Sequence, residues 1–109
     1  MAADPIHIGD RGTIIIMTFK NVDVDGNPQI LNLSNPGILL RITFVKPSGV
    51  FYGPFDMTRV TDGKDGRAYY ITNRAFSIWD TVGTWAWFGE VIYTDFLFRS
   101  DRVTHAVIV

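Results

Sequence analysis

His7 and His105 are the only imidazoles in this 109-residue chain, and neither lies in a nucleophile motif. Ser34, Ser48, Ser77 and Ser100 lack the Gly-x-Ser-x-Gly setting that activates a serine on a sharp turn. Glu90 is the sole glutamate, and no pair of aspartates is singled out as acid and base. Asp23-x-Asp25-Gly26-Asn27 opens like a calcium loop, but the acidic ligand needed about nine residues further on is missing. Asp62 and Asp65 flank Gly63 and would suit either an ion shared with a neighbouring loop or ordinary Asx turns. The residue types capable of chemistry therefore predict no catalytic group, no cofactor and no metal. A lone histidine on a strand is normally structural, and His105 alternates in step with Val103 and Val107.

The bulk composition bears on partners. Ten Lys and Arg are scattered among eleven acids, for a net charge of −1, so no electrostatic pull toward nucleic acid or an anionic membrane is expected. There is no cysteine, which excludes a disulfide framework and thiolate metal sites and fits folding in a reducing cytosol. No apolar run approaches the roughly 20 residues of a membrane helix. Met1-Ala2-Ala3-Asp4-Pro5 lacks the basic and apolar regions of a signal peptide. The 47% apolar content suits one globular domain over residues 1–109 with one core.

The elements that would position these residues follow a period of two. Ile6 and Ile8 make an extended entry, and residues 13–20 a strand of β-branched and aromatic residues. Turn residues cluster at 21–28, 34–37, 46–49 and 62–66. Between them the pattern predicts an edge piece at 30–33 and a strand at 38–45. Broken segments follow at 50–60 around Gly53-Pro54, and then a strand at 67–72 with Tyr69 and Tyr70 on opposite faces. A crossover at 73–80, with one helical turn, is anchored by Trp79. The longest strand, 83–93, turns at Thr94-Asp95 into an antiparallel return over 96–109. Some seven short strands with turns every ~8–12 residues form the pattern of a β-sandwich.

Several of these turns stand in a recognisable order. Ile6-His7-Ile8-Gly9-Asp10-Arg11-Gly12-Thr13, Asp23-Val24-Asp25-Gly26, Leu33-Ser34 and Phe44-Val45-Lys46-Pro47-Ser48-Gly49 come first. Thr61-Asp62-Gly63-Lys64-Asp65-Gly66, Tyr70, Gly83-Thr84-Trp85 and Ser100-Asp101 complete the series. The chain, over nearly its whole length, resembles the immunoglobulin-like domain of tailed-phage virion proteins, notably the N-terminal domain of upper baseplate and fibre-anchor proteins. The resemblance implies an immunoglobulin-like antiparallel sandwich in a non-enzymatic virion structural protein. Such a subunit would sit in a tail or baseplate, dock on a symmetric core, and attach a fibre or neighbouring subunit. Its partners would be other virion proteins, with homo-oligomer contacts possible.

Alternation sorts the residues by face. Trp85, Trp87, Gly89, Val91 and Tyr93 fall on one side of the longest strand, with Trp85 and Trp87 as core anchors beside Phe19, Phe44 and Tyr70. The other side carries Ala86, Phe88 and Ile92 where polar residues are expected, and Ile14 and Ile16 repeat the anomaly on strand 13–20. Ile14, Ile16, Ala86, Phe88 and Ile92 are thus candidate interface residues, with Arg99 and Arg102 as a polar rim. The blander alternative is a loop, such as 48–60, folded over this surface. Two further readings stay open. One is a carbohydrate-binding module using Trp79, Trp87, Tyr52, Tyr69 or Tyr93 as a stacking platform; the other is capsid decoration. If 103–109 is an edge strand, it offers backbone to another chain.

Overall fold

The computed structural model describes residues 5–22, 24–94 and 96–109, which makes the Asp23 and Asp95 positions and the first four residues lie outside it. The chain is all-β, with eleven strands and no helix among the described residues. They are β1 (Ile6–His7), β2 (Ile14–Thr18), β3 (Lys20–Val22), β4 (Pro28–Ile30), β5 (Leu39–Val45) and β6 (Phe51–Asp56). Then come β7 (Thr58–Arg59), β8 (Arg67–Ile71), β9 (Gly83–Tyr93), β10 (Phe96–Arg99) and β11 (Val103–Ile108). The larger sheet runs β1-β11-β9-β5-β6, with β10 also on β9; a smaller one runs β2-β8-β7, and β3-β4 is a separate ribbon.

Eleven strands replace about seven in part because three extended lines are interrupted. Phe19 turns fully inward between β2 and β3. Its N–H bonds the Gly66 carbonyl at 2.7 Å and its own carbonyl takes the Leu31 N–H at 3.0 Å. Met57 separates β6 in the larger sheet from β7 in the smaller, with its N–H on the Leu40 carbonyl. The return strand splits at a bulge: Arg99 pairs with Glu90 and Val103 with Trp87, leaving one extra residue on the returning side. Ser100 clips it, since Ser100 N–H donates to the Gly89 carbonyl while Gly89 N–H donates to Ser100 Oγ.

Three expectations need correcting. The larger sheet is mixed rather than antiparallel, because β1 lies parallel to β11. The helical turn in 73–80 is not formed. Asn73 Oδ1 accepts the Ala75 N–H and Ser77 Oγ the Trp79 N–H, and such local side-chain bonds compete with helical ones. The fourth strand is Pro28–Ile30, not 30–33. Leu33 leaves the ribbon to be buried, with its carbonyl bound by the Arg59 guanidinium and its N–H by the Gly63 carbonyl.

The core joins both sheets. Ile15, Met17, Phe19 and Ala68 from the smaller sheet and its extension meet Leu40, Ile42, Phe44, Trp85, Trp87 and Val91 from the larger. Trp79 is fully buried, as its anchoring role requires. Its ring centroid stands 4.9 Å from Trp85 and 5.7 Å from Phe44, both edge-on, and its indole N–H reaches Thr13 Oγ1 at 3.1 Å. Trp85 donates to the Thr81 carbonyl at 2.8 Å, so neither buried indole is left unpaired. Tyr70 sits at the margin of this cluster, only partly buried and stacked on Phe55 at 5.2 Å. Burial, and secondarily the nearby Tyr52, raises its phenol pKa above the ordinary value. Gly89 on β9 packs directly against Phe19: a Cβ there would stand 2.5 Å from the Phe19 ring.

Candidate interaction surfaces

Strand pairing determines the neighbours of each outward residue. On the outer face of the larger sheet, Leu39, Ile92 and Leu97 form one row across β5, β9 and β10. Arg41, Glu90 and Arg99 form the next, and Val45 and Ala86 lie further along. Phe51 stands opposite Val45 on β6. Its ring meets Phe88 edge-on at 6.1 Å, and the Arg102 guanidinium lies 5.6 Å from the Phe51 centroid and 5.8 Å from that of Phe88. These three side chains, with Arg99 and Ser100, border a shallow recess of about 270 Å³.

The charges on this face are unevenly satisfied. Arg99 Nε pairs with Glu90 at 3.2 Å and Arg41 with Asp56 at 3.7 Å. Arg102 has only the two rings, with no ion pair among the described residues. Ala86, Phe88 and Ile92 are half-buried, while Phe51 and Leu97 remain 58% and 56% exposed. The segment 48–60 does contribute cover, through Phe51 on Phe88 and Asp56 beside Arg41, and Phe51 then becomes part of the exposed surface itself.

Ile14 and Ile16 are elsewhere. They lie on the outer face of the smaller sheet, paired with Ile71 and Tyr69, and are 60% and 52% exposed. The five apolar candidates are therefore not one patch: the fold divides them between two sheets. Sequence reasoning missed Phe51, Leu39 and Leu97. Phe51 follows a turn without a clear alternation, and only its register against Val45 sends it outward.

Beside β2 runs a second feature, a groove of about 570 Å³ between the two sheets. Its walls are residues 13–18 on one side and Ser100, Asp101, Val103 and His105 on the other, with Trp87 in its floor and Ile6 at one end. His105 stacks on Trp87, centroids 6.0 Å apart and nearly coplanar, and Nδ1–H donates to the Ala106 carbonyl at 2.9 Å. That is a structural role.

The remaining candidates have local explanations. Asp62 Oδ1 accepts the Lys64 N–H, and Asp65 accepts the Arg67 N–H and the Thr61 hydroxyl, as Asx-turn residues do. The backbone bond from Arg67 is the main reason the Asp65 carboxyl titrates below its ordinary value, with Thr61 adding to it. Asp25 is described but Asp23 is not, so the first acidic turn falls partly outside the described residues. Trp79 and Trp87, offered above as sugar-stacking rings, are buried in the core, Trp79 fully and Trp87 against the His105 ring. Compared with known proteins, the chain matches no family model, no curated protein and no solved structure.

Proposed function

We propose that this chain is a non-enzymatic structural subunit of a phage tail or baseplate, built as an immunoglobulin-like sandwich that docks on neighbouring virion proteins. The observation that carries the docking half is the outer face of the larger sheet. Leu39, Phe51, Phe88, Ile92 and Leu97 give it more apolar surface than a solvated sheet face normally holds, and Arg102 adds a cation with no ion pair among the described residues. Aromatic and arginine anchors of this kind dominate binding energy in protein interfaces.

Strand order supports the fold half. In an immunoglobulin sandwich the last strand, the one before it and the third share a sheet, and the second strand faces them beside the fifth and fourth. The order β11-β9-β5-β6 against β2-β8-β7 follows that plan, and a first strand parallel to the last is compatible with it. The virion half rests on the ordered turn motifs, from Gly9-Asp10-Arg11-Gly12 to Ser100-Asp101.

The test is incorporation into particles. Phe88→Asp and Arg102→Glu are each expected to leave the purified domain folded by circular dichroism but to reduce its occupancy in assembled particles. Normal occupancy of both variants would remove the docking face from consideration. Absence of the chain from purified particles would remove the virion reading itself.

A further inference from the structure

We infer that the outer face of the larger sheet packs against the same face of a second copy of this chain, about a two-fold axis running along β5 and β9. This pairing names an occupant for the docking face proposed above and rests on that face being an interface. What selects a second copy is the order of charges across the sheet.

Four strands contribute one charge each to a single row. Asp56 on β6 stands opposite Arg41 on β5, Arg41 opposite Glu90 on β9, and Glu90 opposite Arg99 on β10. Leu40, Ile42 and Val91 are buried, so alternation sends Arg41 and Glu90 outward, and their cross-strand partners share that face. The signs across the sheet read minus, plus, minus, plus, and they sum to zero. Within the chain Asp56 meets Arg41 at 3.7 Å and Glu90 meets Arg99 at 3.2 Å, each through the guanidinium Nε. A guanidinium has five N–H donors, so both arginines retain donors for a facing carboxylate. The two ends of the row are its most open members, with the Asp56 and Arg99 side chains 90% and 65% exposed.

A row of even length with alternating signs is its own complement. Rotation of a copy about an axis parallel to the strands, between β5 and β9, presents the row reversed. Asp56 then faces Arg99 of the second copy and Arg41 faces Glu90 of the second copy, and symmetry makes each contact twice. An axis across the strands would set every charge against its own like, which is unfavourable. Charge therefore selects the axis as well as the partner.

The apolar residues suit the same axis. Leu39 and Ile92 are cross-strand partners on β5 and β9, one on each side of it, so each meets the other's counterpart. The Phe51 and Phe88 rings, 6.1 Å apart, reach toward each other over the intervening β5 and lie beside the axis at the other end. Aligned sheets cross at about 30°, which an axis inclined ~15° to the strands provides. Four strands ~4.8 Å apart and about seven residues at ~3.4 Å each give a footprint of roughly 450 Å² per copy, against about 800 Å² in a standard stable interface. Arg102 lies over its own two rings, outside the row, and gains no opposite charge. The dimer is accordingly weak, with a dissociation constant on the order of 100 µM.

The experiment is sedimentation equilibrium of the full chain from about 10 µM to about 1 mM, with NMR shift mapping on dilution. The expected mass rises from one chain toward two, with shifts at the Leu39, Arg41, Glu90 and Leu97 amides and none at Ile14 or Ile16. Arg99→Glu and Asp56→Arg, both at exposed positions, are each expected to weaken self-association about tenfold or more, because symmetry turns one substitution into two like-charge contacts. An equimolar mixture of the two variants is expected to associate within about threefold of the parent, since each variant then faces the sign it lacks. A parent that stays monomeric at about 1 mM, a dimer indifferent to both reversals, or a mixture that fails to recover would each overturn the inference. A monomeric parent whose Phe88→Asp variant still loses occupancy in particles would assign the face to a different virion protein and leave the docking reading standing. A dimer that behaves as expected, from a chain absent from particles, would keep this pairing and remove the virion reading.

Discussion

β9 and β2 share one anomaly, apolar residues on both faces, and the fold treats them differently. β9 is central, flanked by β5 on one side and by β10 and β11 on the other, and its outward Ala86, Phe88 and Ile92 are half-covered by cross-strand neighbours. β2 is an edge. Its outward Ile14 and Ile16 have one neighbouring strand and stay more than half exposed. The same pattern thus produces a surface in one place and an open edge in the other. What distinguishes them is the number of flanking strands, since each flanking strand covers side chains and consumes backbone hydrogen bonds.

The sharpest way to break this comparison is to move inward on each strand. Trp85→Ala removes a fully buried ring and its bond to Thr81, and is expected to cost about 3–5 kcal/mol in urea unfolding. Gly89→Ala forces a Cβ into the Phe19 ring and is expected to cost about 1–3 kcal/mol. Pairing it with Phe19→Leu should recover part of that loss, and additive costs would show that the close approach is not what constrains Gly89.

Outward substitutions sharpen it. Phe88→Ala gives up its edge contact with Phe51 and the Arg102 cation, for an expected loss of about 1 kcal/mol. Ile16→Ala, with no such contacts, should stay within about 0.5 kcal/mol. Equal losses at the two positions would erase the distinction between central and edge strands.

The smallest expected effect is electrostatic. Lys46 ties the turn after β5 to Asp80 at 2.8 Å, and this bond is the main cause of a carboxyl pKa below its ordinary 3.8. A lowered carboxylate pKa contributes stability above the unfolded value and loses it as pH falls through the folded one. Asp80→Asn should therefore cost about 0.5 kcal/mol at neutral pH, discounted for exposure, and nothing below the lowered pKa. A cost that persists unchanged in acid would assign the effect to packing instead.

Much of this architecture was legible from residue types. The Asp-Gly and Lys-Pro-Ser-Gly turns mark the chain reversals, and alternation alone sorted Ile15, Met17, Phe19, Trp85 and Trp87 to the interior. Trp79 was expected to anchor the crossover at 73–80, and it is fully buried, whereas Phe76 in the same segment is exposed. The candidate surfaces were legible only as anomalies. Nothing in the pattern said that Ile14 and Phe88 lie on different sheets, or that Phe51 would pack beside Arg102.

Sequence by itself determined the two-residue period, the punctuation between strands and the division of residues into inward and outward sets. These follow from backbone sterics and burial within a few neighbouring residues, so they are local. Tertiary structure alone decided which sheet each strand joined, where the return strand bulged, and that β1 pairs parallel to β11. Those outcomes depend on register and pairing between segments distant along the chain, and the energy that chooses among them comes from packing rather than from any one strand's composition.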